Sequence, residues 1–137
     1  MRTRGNPYGH VVLRGGGGRP NYDSVSISLA EQALDKAHLR RNLVVDCSHS
    51  NSYKKPEMQP LVLADCMHQI VQGNRSIVGT MIESFIEACN QPIPADLSQL
   101  KYGCSVTDAC VDWATTERML RDAHQALLPV LRLRQPA

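Results

Sequence analysis

The sequence lacks an excess of charge of either sign, and it lacks any long hydrophobic run. Its 15 Lys and Arg residues nearly balance 13 Asp and Glu residues, which leaves a formal net charge of +2. This balance gives no reason to expect nucleic acid or an anionic membrane surface as a partner. No apolar segment is long enough to cross a bilayer, and no hydrophobic stretch of the signal-peptide kind follows the first residues. We therefore expect neither a nucleic-acid-binding protein nor a membrane protein.

The sequence also lacks paired cysteine motifs and the glycine motifs of nucleotide-binding proteins. Its five cysteines are odd in number, and none belongs to a CxxC pair. That pattern predicts reduced thiols and a cytoplasmic protein. The glycines at 15–18 match neither GxGxxG nor the P-loop motif, which argues against a nucleotide site. No internal repeat is visible, so a solenoid is excluded.

What the sequence does contain is an alternation of short apolar segments with helical patterns. The 137 residues, 42% of them hydrophobic, are enough for one domain. Strands are predicted at 10–14, 42–48 and 76–82. Helices are predicted at 24–38, at 57–73 and over a last segment that carries Leu120 to Leu131. Continuous apolar strands that alternate with helices are typical of an α/β fold with parallel strands buried on both faces.

Single residues mark where these helices begin and end. Asp23 or Ser24 can cap the first helix, and Gly73 is a natural stop for the second. Pro129 should kink or end the last helix, because proline lacks the backbone N–H that the helix needs. Trp113 is predicted to pack this last helix against the sheet.

Polar side chains follow each predicted strand at its carboxyl end, where the active sites of α/β proteins usually lie. The first strand ends in Arg14, the second runs into His49 and the third into Glu83, while Asp108 lies in the loop before the last helix. One imidazole and two carboxylates suit a divalent metal such as manganese, iron, cobalt or zinc. Their separations along the chain are too long for a local motif, so ordinary surface residues are the alternative.

Arg14 and the neighbours of His49 each have two interpretations. Arg14 beside four glycines could bind a phosphate or carboxylate, or it could be a solvated arginine on a flexible loop. If the second strand stays regular, Asp46 points away from Cys47 and His49, as a structural partner of the site. Cys47 could then supply a thiolate ligand, although a buried structural thiol is the commoner role.

Four segments in order carry a resemblance to a known family. The segments "GNPYGHVVLRGG", "DCSHSNS", "SIVGTMIES" and "YGCSVTDAC" resemble the C-terminal part of the 3-deoxy-D-arabino-heptulosonate 7-phosphate (DAHP) synthases, of the microbial feedback-regulated type. The resemblance runs from about Thr3 to about Gln125. That family folds as a (β/α)₈ TIM barrel, so the resemblance implies that residues 1–137 form a single incomplete segment, about the last three strand–helix units.

The resemblance implies an activity and a role for each residue at the strand ends. These synthases are transferases that condense phosphoenolpyruvate with erythrose 4-phosphate and water and release phosphate. The reaction is the first step of the shikimate pathway of aromatic amino acid biosynthesis, and it requires a divalent metal. By motif, Arg14 is similar to the arginine that binds phosphoenolpyruvate, and His49, Glu83 and Asp108 are similar to three metal ligands. Arg14 and His49 are thus the expected catalytic residues.

The sequence also departs from the family. The family's fourth metal ligand, a cysteine from an early strand, has no counterpart here, and Cys47 is the thiol nearest along the chain to His49. Phe85 and Cys89 stand where a histidine and a glycine are usual. Three hypotheses remain: a synthase that keeps its site, a truncated remnant without catalysis, and one subunit of a split synthase completed by an N-terminal chain. We expect the chain by itself to be inactive, and to form a homo-oligomer or to bind that complementing chain.

Overall fold

Three parallel strands and three helices alternate along the chain, which confirms the predicted α/β fold. The computed structural model describes residue 2 and residues 4–134. The strands are β1 (Val11–Leu13), β2 (Leu43–Asp46) and β3 (Ile77–Met81), and the helices are α1 (Ser24–Lys36), α2 (Gln59–Val71) and α3 (Trp113–Leu131). Short 3₁₀ turns lie at His49–Ser52, Pro56–Met58, Leu97–Gln99 and Arg132–Arg134. This is the order of three consecutive strand–helix units of a parallel barrel.

The sheet order β1-β2-β3 brings the three strand ends to one edge. Leu13 pairs with Val45, and Asp46 pairs with Met81, so each strand stops at nearly the same level. The predicted burial on both faces holds best for β2. In the outer strands Val12 is 43% exposed and Val78 is 56% exposed. Among the described residues the outer edges of β1 and β3 pair with no further strand.

The core lies between β2 and the helices. Leu43, Val45 and Cys47 of this strand region are fully buried and belong to one cluster with Ile27 of α1 and Val62 of α2. Burying a side chain of this size stabilises the fold by about 1.5–3 kcal/mol. This packing fixes the strand from which the polar residues at the sheet edge follow.

The predicted helix signals act as expected at two positions. The Asp23 carboxylate accepts hydrogen bonds from the backbone N–H groups of Val25 and Ser26 at the start of α1. Gly73 follows α2 with a φ of 105°, a left-handed conformation that favours glycine. Pro129 lies inside α3, which continues to Leu131, so the helix does not end at this proline. Among the described helices, none combines the length and apolar character that a membrane span requires.

Two predictions outside the strands are wrong. Trp113 is the first residue of α3 and is 64% exposed, while Thr116 and Met119 supply the buried face of that helix. Reduced thiols throughout are also contradicted, because Cys89 and Cys104 are joined in a disulfide with a Cα–Cα distance of 5.4 Å. The loop between β3 and α3 folds back on itself and brings these two residues together. Sequence spacing carries no sign of such a loop.

Candidate metal centre

His49, Glu83 and Asp108 converge at the carboxyl edge of the sheet. His49 Nε2 lies 3.6 Å from Glu83 Oε1 and 3.6 Å from Asp108 Oδ2. One donor atom from each residue lies within 4.8 Å of the other two. Donors that share an ion at about 2.0–2.2 Å stand closer together than 4.8 Å, so the three side chains would move inward around the ion. One nitrogen and two carboxylate oxygens form a donor set that fits a borderline divalent cation.

The chain turns sharply between β2 and His49. β2 ends at Asp46, and His49 has a φ of 49°, in the left-handed region that non-glycine residues rarely adopt. This turn reverses the predicted alternation of faces. His49 therefore lies against Asp46, and the prediction that Asp46 points away from it is wrong.

Asp46 fixes the ring of His49. The two side chains approach to 2.6 Å between Asp46 Oδ2 and His49 Nδ1, and Asp46 is fully buried. The other oxygen of Asp46 accepts hydrogen bonds from the Ser48 backbone N–H at 2.8 Å and the Ser48 hydroxyl at 2.6 Å. This contact favours the tautomer of His49 that carries its proton on Nδ1, because an ionised carboxylate only accepts. The lone pair of Nε2 then faces Glu83 and Asp108, as a metal ligand requires.

A buried glutamine fixes the backbone of Glu83. Gln59, at the start of α2, is fully buried, donates to the Glu83 carbonyl at 3.1 Å and accepts from the Glu83 N–H at 2.9 Å. Burial raises the pKa of Glu83, with Asp108 and Asp46 adding to the rise and His49 opposing it. Three carboxylates thus crowd one histidine, and a bound cation would relieve their repulsion. No pattern in the sequence points to Gln59 as part of the site.

Asp108 stands on the long loop between β3 and α3, and backbone hydrogen bonds hold the base of that loop. The Phe85 N–H donates to the Val111 carbonyl at 2.9 Å, and the Val111 N–H donates to the Glu83 carbonyl at 3.0 Å. These bonds close the base of the loop beside Glu83. The Asp108 side chain itself is 56% exposed.

The thiols near the site are placed differently from the prediction. Cys47 is fully buried in the core, where burial raises the pKa of its thiol above its usual range, with Cys66 of α2 adding to the rise. It is absent from the cluster of donors found in the described part of the chain. Cys110 lies nearer to Asp108, with its Sγ 3.5 Å from the Asp108 carbonyl oxygen. Burial raises the pKa of Cys110 as well.

Arg14 lies at the same edge, directly after β1. It is exposed, and its guanidinium makes no hydrogen bond or ion pair with another residue that the structure describes. The glycines after it form a tight turn closed by two 3.0 Å backbone hydrogen bonds between Gly16 and Arg19. The structure thus brings together the three predicted ligands and places Arg14 on the neighbouring strand end without contact to them.

Comparison with known proteins gives one consistent family. Residues 1–121 match the model of the DAHP synthetase I family. The chain is 47% identical over 134 residues to the Tyr-sensitive phospho-2-dehydro-3-deoxyheptonate aldolase of Salmonella typhimurium (strain LT2), and 49% identical over 127 residues to that of Escherichia coli (strain K12). These matches cover 98% and 93% of this chain.

A solved structure agrees with the sequence matches. The phospho-2-dehydro-3-deoxyheptonate aldolase of Francisella tularensis SCHU S4 aligns with 98% of this chain, at a TM-score of 0.85 and 40% identity. The chain spans 37% of that structure and 37% of the Salmonella protein. It therefore corresponds to little more than a third of the relatives' length.

Proposed function

Since the chain belongs to the DAHP synthetase I family, we propose that it is the metal-bearing part of a DAHP synthase barrel. In this proposal residues 1–137 are one incomplete barrel segment of an enzyme that condenses phosphoenolpyruvate with erythrose 4-phosphate. The convergence of His49, Glu83 and Asp108 at the strand ends is the observation that carries it. Both substrates are phosphorylated metabolites, and we place the activity in the cytoplasm.

Each residue of the site has a distinct task in this reaction. His49, Glu83 and Asp108 hold a divalent ion of the manganese, iron, cobalt or zinc class, which supplies Lewis acidity near the aldehyde carbonyl of erythrose 4-phosphate. Arg14 offers a planar fork of N–H donors to the anionic oxygens of phosphoenolpyruvate. Asp46 keeps the proton on His49 Nδ1, so that Nε2 stays available as a ligand.

The split-enzyme hypothesis has its own support. The outer edges of β1 and β3 are unpaired among the described residues, and Val12 and Val78 beside them are exposed. Unpaired parallel strands with apolar faces are surfaces that other strands normally cover. A complementing chain that supplies the remaining barrel units would cover both edges. A second copy of this chain is the competing occupant.

Two experiments test the proposal in order. Manganese titrated into the purified chain should bind more weakly in the Glu83→Ala variant, and equal binding would contradict the retained site. Synthase turnover should be negligible for the chain by itself, with His49→Ala as the background. Co-expression with the N-terminal part of a DAHP synthase should restore turnover if the enzyme is split. No turnover from that pair would favour the remnant without catalysis.

A further inference from the structure

Arg14 is held between two peptide groups that are both hydrogen-bonded to asparagine side chains. The Leu13 carbonyl, in the peptide before Arg14, accepts from Asn51 Nδ2 at 3.0 Å. The Gly15 N–H, in the peptide after Arg14, donates to Asn21 Oδ1 at 2.7 Å. The two backbone torsions of Arg14 lie between these anchored peptides. Their freedom is therefore restricted on both sides.

The two asparagines are themselves connected. The Asn21 N–H donates to Asn51 Oδ1 at 2.8 Å, and Asn51 Nδ2 also donates to the Asp46 carbonyl at 2.8 Å. Asn51 is only 2% exposed, and its amide orientation is unambiguous because carbonyls only accept and a backbone N–H only donates. Asn51 thus joins the end of β1 to the end of β2, from which His49 follows.

Gly15 completes this arrangement by steric fit. Its φ is +72°, and an added Cβ would lie 2.6 Å from Ser50 Cβ and 2.7 Å from the Arg19 carbonyl oxygen. No larger residue fits there without displacing backbone. The peptide after Arg14 is therefore packed directly against the turn that carries His49.

We infer that Asn21 and Asn51 are positioning residues, which fix the Arg14 backbone so that its exposed guanidinium meets an anion at a set place beside the metal ligands. This inference rests on the proposed function, because it takes Arg14 to bind phosphoenolpyruvate. A fixed backbone leaves only the side-chain torsions of Arg14 to be ordered on binding, which strengthens the contact. The same connection through Asn51 sets the distance between the anion site and the metal site.

The test compares phosphoenolpyruvate binding and Mn²⁺ binding in four variants of the full chain. Asn21→Ala removes the bond to Gly15 but leaves the backbone link to Asn51, so the fold should survive. Phosphoenolpyruvate affinity, measured with Mn²⁺ saturating, should fall about three- to tenfold, as expected for one lost hydrogen bond. Mn²⁺ affinity should not change. Asn74→Ala is the matched control, because Asn74 accepts from the Ser76 and Ile77 N–H groups at the opposite end of the sheet.

The Arg14→Ala variant separates the two proposals. If Asn21 acts through Arg14, adding Asn21→Ala to Arg14→Ala should cause no further loss of phosphoenolpyruvate affinity. An unchanged affinity in Arg14→Ala would overturn the proposed anion site. A loss in Arg14→Ala with none in Asn21→Ala would overturn only the positioning role.

Amide hydrogen exchange tests the inference without any ligand. The Gly15 N–H should exchange faster in Asn21→Ala than in the wild-type chain, and its rate in Asn74→Ala should match the wild type. Equal Gly15 exchange in Asn21→Ala and wild type would mean that the Asn21 side chain does not hold this peptide, and would overturn the inference even if the chain bound no phosphoenolpyruvate.

Discussion

The two halves of the candidate metal centre are built in different ways. His49 and Glu83 follow directly from the sheet region, and each is held by a fully buried polar side chain, Asp46 or Gln59. Asp108 lies on an exposed loop that is held by backbone bonds and by the Cys89–Cys104 disulfide rather than by a buried partner of its own. We call His49 and Glu83 the sheet half of the centre, and Asp108 with its loop the loop half. We expect the sheet half to account for most of the metal affinity and the loop half to change it by a smaller amount.

The largest expected effect comes from Asp46→Asn, which reverses the donor and acceptor at the oxygen facing His49. An amide N–H placed there would favour the tautomer with the proton on Nε2, and that nitrogen could no longer bind a metal. Mn²⁺ affinity should fall about 10–100-fold, measured by calorimetric titration. Asp35→Asn removes an exposed carboxylate paired with Arg41 and should leave Mn²⁺ affinity unchanged. Unchanged affinity in Asp46→Asn would mean that this carboxylate does not orient the ring.

The second effect tests the support beneath Glu83. Gln59→Ala leaves the Glu83 N–H without its partner, while the Glu83 carbonyl keeps its hydrogen bond from the Val111 N–H. The unfolding free energy should therefore drop by about 1–3 kcal/mol in urea denaturation. Mn²⁺ affinity should fall about fivefold, because Glu83 is no longer fixed. Gln69→Ala on the same helix loses hydrogen bonds to Tyr22 and Asp65, and it should lower stability without altering Mn²⁺ affinity. An equal fall in Mn²⁺ affinity in both variants would mean that Gln59 acts through general stability and not by holding Glu83 in place.

A smaller effect is expected from opening the disulfide in the loop half. The bond spans a sequence separation of 15, and closing a loop of that size restricts its unfolded conformations. Reduction should loosen the loop that carries Asp108 and weaken Mn²⁺ binding about threefold. The double variant Cys89→Ser with Cys104→Ser should match the reduced chain and should not respond to reductant. Identical affinities for oxidised and reduced chains would show that the loop half is fixed by its backbone bonds.

The same division between sheet and loop explains what could be predicted from sequence. The ends of the three strands, and so His49 and Glu83 at one edge, followed from apolar segments that alternate with helices. The side of the strand on which His49 lies could not be predicted. Its positive φ breaks the alternation of side chains on which that prediction depends. Gln59 gave no signal, since an isolated glutamine before Pro60 looks like any helix start. The pairing of Cys89 with Cys104 depends on the path of a loop, which local pattern does not determine.

The smallest expected effect is a pH dependence of folding stability that arises from Glu83 in the sheet half. It tests whether the charge of Glu83, and not only its position, matters in the metal-free chain. Burial raises the pKa of Glu83 in the folded chain, so its contribution to stability is fully present below its unfolded value and is lost as pH rises through the folded value. Glu83→Gln should remove this loss in the metal-free chain. The variant should therefore gain stability relative to the wild type as the pH rises above 4.5, the ordinary pKa of a glutamate. Urea unfolding with chelator across pH 4 to 7 measures this difference, with Glu57→Gln as the exposed control. Saturating Mn²⁺ should reverse the trend in the wild type, because a cation favours the ionised carboxylate. The opposite result is a stability advantage of Glu83→Gln over the wild type that shrinks as the pH rises. That result would mean that attraction to His49 lowers the pKa of Glu83 more than burial raises it, so that no metal is needed to offset the carboxylate charge.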